Sequence, residues 1–538
     1  VPRVSRRTAL SIAVGSVVAG AGLAFHGSRE LTGDPTPASL DQTVGSAPPR
    51  STAPRPLPEP LPATPGVTAT ENALPGHRDW VIGADRTRSA DDVAGQIKGY
   101  TSASTVLLGG DVSFHVSVAD AEDYTVGVYR LGWYGGLGAR KVLTSPVLRG
   151  SRQAPPELNP GTGMISCSWQ PSWTLSVPAD WVPGLYLAVF TTASGFRNYA
   201  PFVVRNAQRV NRLCLVLPFT TYQAYNQWPL DGVLGKSLYY GYPVDPTLGN
   251  EQADGVRKTG VRSSDLRSFH VSFDRPYMAT GLPSRFDDDR YFIQWAEAAG
   301  YDFDYATSED LHSGAIDAAG YAGLVFSGHD EYWSREMRDR VEQALAGGTS
   351  LAYMAANNVY WKIRFAPSAD GRANRVVACY KNRLDAAGNS SATMRWRDPE
   401  PGPAEAEQRL LGVQYNGIVK AAVPLVVTDS GHWFWNGCKV KDGDSIPKVV
   451  AGEADGFDPD VHLPRFTTRG LLSASPYQLR NGTRMVQNTS LYETDKNAVV
   501  FVAGTLSWTR GLAVRGFRDV RLMRATENLI ERMLRQKA

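Results

Sequence analysis

Residues 325–363, VFSGHDEYWSREMRDRVEQALAGGTSLAYMAANNVYWKI, limit the fold more than any other stretch of the chain. An apolar run ends at Ser327-Gly328, and His329, Asp330 and Glu331 follow at once, with Tyr332 and Trp333 behind them. From about Ser334, Met337, Val341 and Leu345 recur every four residues, an apolar stripe of helical period that Gly347-Gly348 stops. Residues 350–354 form a second apolar run leading into Asn357-Asn358. The order predicts strand, polar turn, helix, strand, polar turn. Both polar turns fall at carboxyl ends of strands, where open α/β sheets place their ligands.

The surrounding sequence extends this pattern. Residues 213–217 and 321–326 are short apolar runs, 290–299 have helical spacing up to Gly300, and 301–305 suit a short strand. A strand-like run at 499–504 precedes a closing helix at about 519–535. Strands alternating with helices predict a doubly wound α/β domain over residues 206–538. Residues 78–205 read differently. Alternating runs at 112–118 and 124–129, and a glycine cluster at 131–140, predict a β-sandwich of short strands. Trp133, Tyr134 and Trp169 either line a surface for a sugar or polymer or serve as packing.

Two segments precede the sandwich. Residues 33–77 are crowded with Pro, Ser, Thr and Ala, the composition of an extended tether. In residues 1–32, Ser5-Arg6-Arg7-Thr8 stands before a small-residue apolar run, the pattern of a twin-arginine export signal. The expected location is therefore extracellular or at the cell envelope, with the N-terminal segment as the point of envelope contact.

Composition excludes some classes. A formal charge of +3 over 538 residues, with no basic stripe or nucleic-acid motif, argues against nucleic acid. The four cysteines, Cys167, Cys214, Cys379 and Cys438, lie too far apart in sequence for a paired metal motif. Cys214 sits in an apolar run and reads as core.

The phrases YRLGWYGGLGAR, TTYQAYNQW, SLYYGY, VSFDRPY, SGHDEYWS, MAANNVYWK and GEADG run in this order from Tyr129 to Gly456. Through them the chain resembles the large-subunit (beta) family of N,N-dimethylformamidase, an iron-dependent amide hydrolase. The resemblance implies an immunoglobulin-like or lectin-like sandwich followed by an α/β domain like that of class I glutamine amidotransferases. It implies a mononuclear Fe(3+) held by two tyrosines and a glutamate. Glu331 matches the glutamate ligand, His329 a neighbouring histidine and Asn357 an asparagine lining the site. Lys381 and Glu453 match the family's lysine and distal glutamate. Tyr222 and Tyr239 are the favoured tyrosine ligands, and spacing leaves Tyr225, Tyr240 and Tyr277 open. The implied partners are a small-molecule amide substrate, a homo-oligomeric copy, and a small subunit that this chain does not encode.

The chemistry follows from the residue types. An amide carbonyl is a poor electrophile and water a weak nucleophile, and a bound metal remedies both. Glu331 and phenolates are hard donors suited to ferric iron. His329 could orient Glu331 or shuttle a proton, Asn357 could stabilise an oxyanion, and Glu453 could act as general base. Two other readings stand beside the metal-dependent amidase. One is a polymer- or cell-wall-binding protein without catalysis. The other is a hydrolase with Ser327 as nucleophile, although the full G-x-S-x-G elbow is lacking.

Overall fold

The computed structural model describes residues 66–242, 262–381, 385, 392–399 and 404–536. The export-signal reading of residues 1–32, and the linker reading up to residue 65, lie outside these described residues.

Alternation of side chains across strands builds the first part. Strands Asp123–Leu131, Gly184–Thr192 and Phe196–Arg205 pair antiparallel in one sheet, and Ile97–Thr101, Asp111–Val118 and Trp173–Ser176 form a second. Val126, Val128, Phe190 and Phe202 from the first sheet share a buried core with Ile97, Val112, Phe114 and Leu175 from the second. The opposite face of the first sheet is buried as well. Its Tyr129, Leu131, Leu187 and Val189 join a core with Leu213, Leu215 and Phe292 of the next part. A buried ion pair crosses the same junction, with Arg130 Nη2 donating to Glu297 Oε1 at 2.7 Å and Nη1 to Oε2 at 3.0 Å. Tyr134 and Trp169 are packed inside, while Trp133 is 41% exposed.

The second part is organised by a seven-stranded sheet. Its order is Asp304–Thr307, Leu213–Leu217, Gly323–Phe326, Ser350–Tyr353, Val499–Val502, Ser490–Glu493 and Thr468–Leu471. The first five strands run parallel and the last two antiparallel. Alternate residues divide between two cores, as the pleat demands. Leu213, Leu215, Val325 and Phe501 pack with helices Phe286–Ala298 and Val520–Leu534 on one face. Cys214, Val216, Leu324, Phe326 and Val500 pack with Met337, Val341 and Ala344 of helix Arg335–Gly347 on the other. The chain enters the sheet at Leu213–Leu217, then adds one strand on one side and the next on the other. In open α/β sheets such a reversal marks the crevice at the carboxyl ends of the strands where ligands bind.

Residues 325–363 fold as their periods predict in outline. Ser334 caps helix Arg335–Gly347 by accepting from Met337 N–H, and Gly348 ends it with φ of 109°. Three details differ. Tyr332–Ser334 is a short strand, paired in parallel with residues 361–363, where sequence suggested only a turn. Helix Phe286–Ala298 begins four residues before the predicted start. Residues 66–77, assigned to the linker, hold helix Val67–Asn72, which is tied down by Asn72 Nδ2 to Glu297 Oε2 at 2.7 Å and by Thr68 N–H to Asp302 Oδ1 at 2.9 Å. Among the described residues no helix is long and apolar enough to cross a membrane.

Candidate active site

Three consecutive parallel strands each hand a polar segment to the crevice. Leu213–Leu217 leads into helix Phe219–Tyr225, Gly323–Phe326 into residues 327–331, and Ser350–Tyr353 into residues 354–360. Backbone bonds sew the last two segments together. Val359 N–H donates to Asp330 C=O, and Tyr360 and Trp361 N–H both donate to Glu331 C=O, each at 2.9 Å. Thr221 Oγ1 on the helix accepts Glu331 N–H at 3.0 Å. Asn357 and Val359 hold positive φ, 54° and 55°. Such strain persists only where surrounding bonds over-determine the loop.

Glu331 is the focus. Its buried carboxylate accepts from Tyr225 Oη at 2.8 Å, from Tyr239 Oη at 2.8 Å, and from Asn357 Nδ2 at 3.3 Å. His329 Nε2 lies 3.2 Å from it. Burial alone would raise the Glu331 carboxyl, but the hydrogen bond and charge of His329, followed by Lys381 and Tyr239, hold it below its ordinary value. The two phenols move the other way: burial first, then the charge of Glu331, raises both well above the usual tyrosine range. Both therefore stay protonated and donate.

His329 is fixed by its other nitrogen. Nδ1 lies 3.0 Å from the Ala356 carbonyl, which can only accept, so Nδ1 carries a proton. Burial would lower the imidazole's affinity for a second proton, yet Glu453 and Glu331 outweigh it and raise the pKa. Glu453 begins strand Glu453–Gly456, with Oε2 3.6 Å from His329 Nε2 and 3.0 Å from Asn357 Nδ2. Burial raises its pKa, with the charge of Glu331 adding to the effect. Asn357 thus bridges the two carboxylates with one amide nitrogen. Lys381 stands over the Tyr239 ring, with Nζ 3.5 Å from the centroid, and burial pulls its pKa down to about 8.

Of the residues singled out in the sequence, His329, Glu331, Asn357, Lys381, Glu453 and Tyr239 meet here. Tyr222 does not. Its hydroxyl donates to Asp289 Oδ2 at 2.6 Å rather than to Glu331. Tyr225, kept open by spacing, takes the position at Glu331 instead. Ser327 Oγ also donates to Asp289, at 2.5 Å, and not to His329. The sequence reading missed Asp455, whose Oδ1 accepts Asn357 N–H at 2.8 Å and so holds the strained loop. The signal was present: Glu453 and Asp455 lie two apart on one strand and so share a face.

The expected mononuclear iron is corrected. Among the described residues no group of three or more His, Cys, Asp or Glu side chains could hold a metal ion. Tyr222, one of the three expected ligands, donates to Asp289, and Tyr225 stands at Glu331 in its place. The expected set of Tyr222, Tyr239 and Glu331 is therefore not assembled.

Sequence comparisons with known proteins agree with one another. The family described as N,N-dimethylformamidase beta subunit-like, C-terminal, matches residues 125–521. The N,N-dimethylformamidase beta subunit of Paracoccus aminophilus is 24% identical over 324 residues, which cover 55% of this chain and 40% of that protein. The N,N-dimethylformamidase beta subunit of Alcaligenes sp is 25% identical over 238 residues, covering 43% of this chain and 29% of that one. The chain thus matches less than half the length of either relative. Among solved structures, a cycloisomaltooligosaccharide glucanotransferase of Paenibacillus sp. aligns over 76% of this chain and 71% of its own at 10% identity, with a TM-score of 0.16.

Proposed function

The chain belongs to the N,N-dimethylformamidase beta subunit-like family, and on that premise we propose that it hydrolyses the C–N bond of a small or N-substituted amide. The observation that carries this reading is the meeting of two carboxylates, an imidazole, an amide and an ammonium group at the carboxyl ends of three adjacent strands.

Hydrolysis needs a proton acceptor for water, a charge facing the carbonyl oxygen and a proton for the departing amine. Glu453 suits the first role. Its side chain is 18% exposed against 2% for Glu331, so it is the carboxylate that meets incoming molecules. It takes one proton from water as the water oxygen bonds to the carbonyl carbon. Lys381 supplies positive charge for the oxyanion, while the Asn357 amide, committed to Glu331 and Glu453, holds the two carboxylates in place. Collapse of the tetrahedral species breaks the C–N bond, and His329 gives its Nε2 proton to the nitrogen. Glu453 then returns its proton to His329, leaving carboxylic acid and amine as products. Glu331 keeps His329 protonated and is itself locked by the two phenols.

The mechanism requires Glu453 ionised and His329 protonated together. Activity should follow a bell whose two limbs belong to this coupled pair. The test is amine release from a panel of primary and N-alkyl formamides and acetamides. Release by the wild type and its loss in Glu453→Gln, with an unchanged thermal transition, is the expected result. No release from any amide would put the non-catalytic binding reading in its place. The serine-nucleophile reading is disfavoured by the Ser327–Asp289 bond.

The same reading takes the facing sheets as an immunoglobulin-like or lectin-like sandwich and the helix-covered sheet as amidotransferase-like. It also keeps export by the twin-arginine route, supported by Arg6 and Arg7. Replacing both with lysine should hold the precursor inside the cell, and cell fractionation reads the outcome. A homo-oligomer or a separate small subunit would appear in the native mass of the protein purified from its source.

A further inference from the structure

Away from the crevice, a small cavity lies at the junction of the facing sheets and the helix-covered sheet. Tyr100, Ser104, Gln223, Arg275, Tyr277 and Arg375 are among its lining residues. Arg275 is 1% exposed. Its Nη1 donates to Lys236 C=O at 3.0 Å and its Nη2 to Asn226 C=O at 2.7 Å. Its Nε has no hydrogen-bond partner among the described residues, and no carboxylate among them forms an ion pair with it. The contrast is Arg375 on the same lining, which pairs with Asp274 at 2.8 Å. Glu309 accepts from Ser104 Oγ at 2.6 Å and forms no ion pair with either arginine among the described residues. A guanidinium taken out of water onto neutral carbonyls alone is strongly unfavourable unless a counter-charge is near. Burial lowers the Arg275 pKa to about 10, so the group is still a cation at neutral pH.

We infer that this cavity takes a single halide-sized anion, chloride in ordinary solution, as the counter-ion of Arg275. The volume agrees. About 20 Å³ is usable, just above the roughly 10–15 Å³ that one water requires, so the occupant is monatomic or close to it. The hydroxyl of Tyr277 and the amide of Gln223 on the lining offer further donors. The position also gives the anion a role. Arg275 holds the carbonyl of Asn226, the residue after Tyr225, so an anion there braces the segment that presents Tyr225 to Glu331.

The test is thermal unfolding of the full chain in chloride or bromide against gluconate at equal ionic strength. A saturable, halide-specific rise in Tm of about 1–3 °C is expected, and Arg275→Met should abolish the halide-specific part. Equal Tm in halide and gluconate, or an undiminished halide effect in Arg275→Met, overturns the inference. A measurement on the wild type guards against a variant that fails to fold. Crystals grown in bromide should show an anomalous peak in this cavity beside the guanidinium. A cavity holding only water, or bromide at surface sites alone, overturns it equally.

Discussion

Helix Phe219–Tyr225 carries two tyrosines three residues apart, and each donates to a different buried carboxyl. Tyr225 meets Glu331, and Tyr222 meets Asp289. Burial of the two acids is nearly the same, 2% and 0% exposed. Their chemistry is opposite. Glu331 has His329 and Lys381 for company and is held below its ordinary pKa. Asp289 has two hydroxyl donors and acidic Asp288 beside it, and burial lifts it to about 7. Asp330 makes the same point one residue from Glu331. Burial lifts it to about 8, outweighing the pull of Trp333 and of the more distant His329 charge. Burial is common to all three. The presence of a close cation decides which one is a fixed charge at neutral pH.

The largest test removes the charge that the cations were built around. Glu331→Gln leaves His329 and Lys381 facing a neutral amide, which should cost about 3–5 kcal/mol of stability, as breaking a buried pair does. Amide hydrolysis should fall with it, by at least about 100-fold. Denaturant titration and amine release measure the two losses. Near-native stability in this variant would mean that the cations are not what holds Glu331 charged.

Glu453→Gln should come next, and it should separate chemistry from architecture. The rate should drop by about 10²–10⁴-fold, the range of general-base removal, while the unfolding midpoint moves little. A variant that keeps its rate would shift the base to another group.

The pH dependence distinguishes the two acids by sign. Glu331 has a depressed folded-state pKa. Its contribution to stability is present above about 4.5, the unfolded value, and is lost as pH falls through its lower folded value. Asp289 has a raised one, so its contribution is full below 3.8 and is lost as pH rises through about 7. Asp289→Asn should therefore gain on the wild type between pH 5 and 8, as read from denaturation midpoints across that range. A constant difference between the two proteins would show that Asp289 does not titrate there.

The smallest effects compare the two hydroxyls directly. Tyr222→Phe and Tyr225→Phe each delete one donor to a buried acid, worth about 1 kcal/mol at Asp289 and about 1.5–3 kcal/mol at the charged Glu331. Only Tyr225→Phe should alter the pH profile of hydrolysis, because only Tyr225 touches Glu331 and lies near His329. Identical profiles would place both tyrosines outside the chemistry.

The sequence made much of this legible, for physical reasons. Helical and strand periods mark residues 325–363 strongly, so the strand ends carrying His329, Glu331 and Asn357 were placed without coordinates. The choice between Tyr222 and Tyr225 was not legible. Both sit on one short helix, and which one faces Glu331 depends on how that helix rolls against Phe286–Ala298 and the sheet. The early start of Phe286–Ala298 was hidden by Asp287-Asp288-Asp289, which look like a loop but favour a helix's first turn. The strand Tyr332–Ser334 exists only through its pairing with residues near Trp361, which no local propensity reveals. Helix Val67–Asn72 is too short for a periodic signal and is held by distant Glu297 and Asp302.

The bond from His329 Nδ1 to the Ala356 carbonyl has a consequence in magnetic resonance. That proton is buried and bound to a backbone oxygen, so it should exchange slowly with solvent and give a resolved resonance far downfield. The proton on Nε2 faces Glu331 and Glu453 and should exchange fast. A single ring would then show two protons on two clocks, and the fast one marks the only direction in which this imidazole can pass a proton.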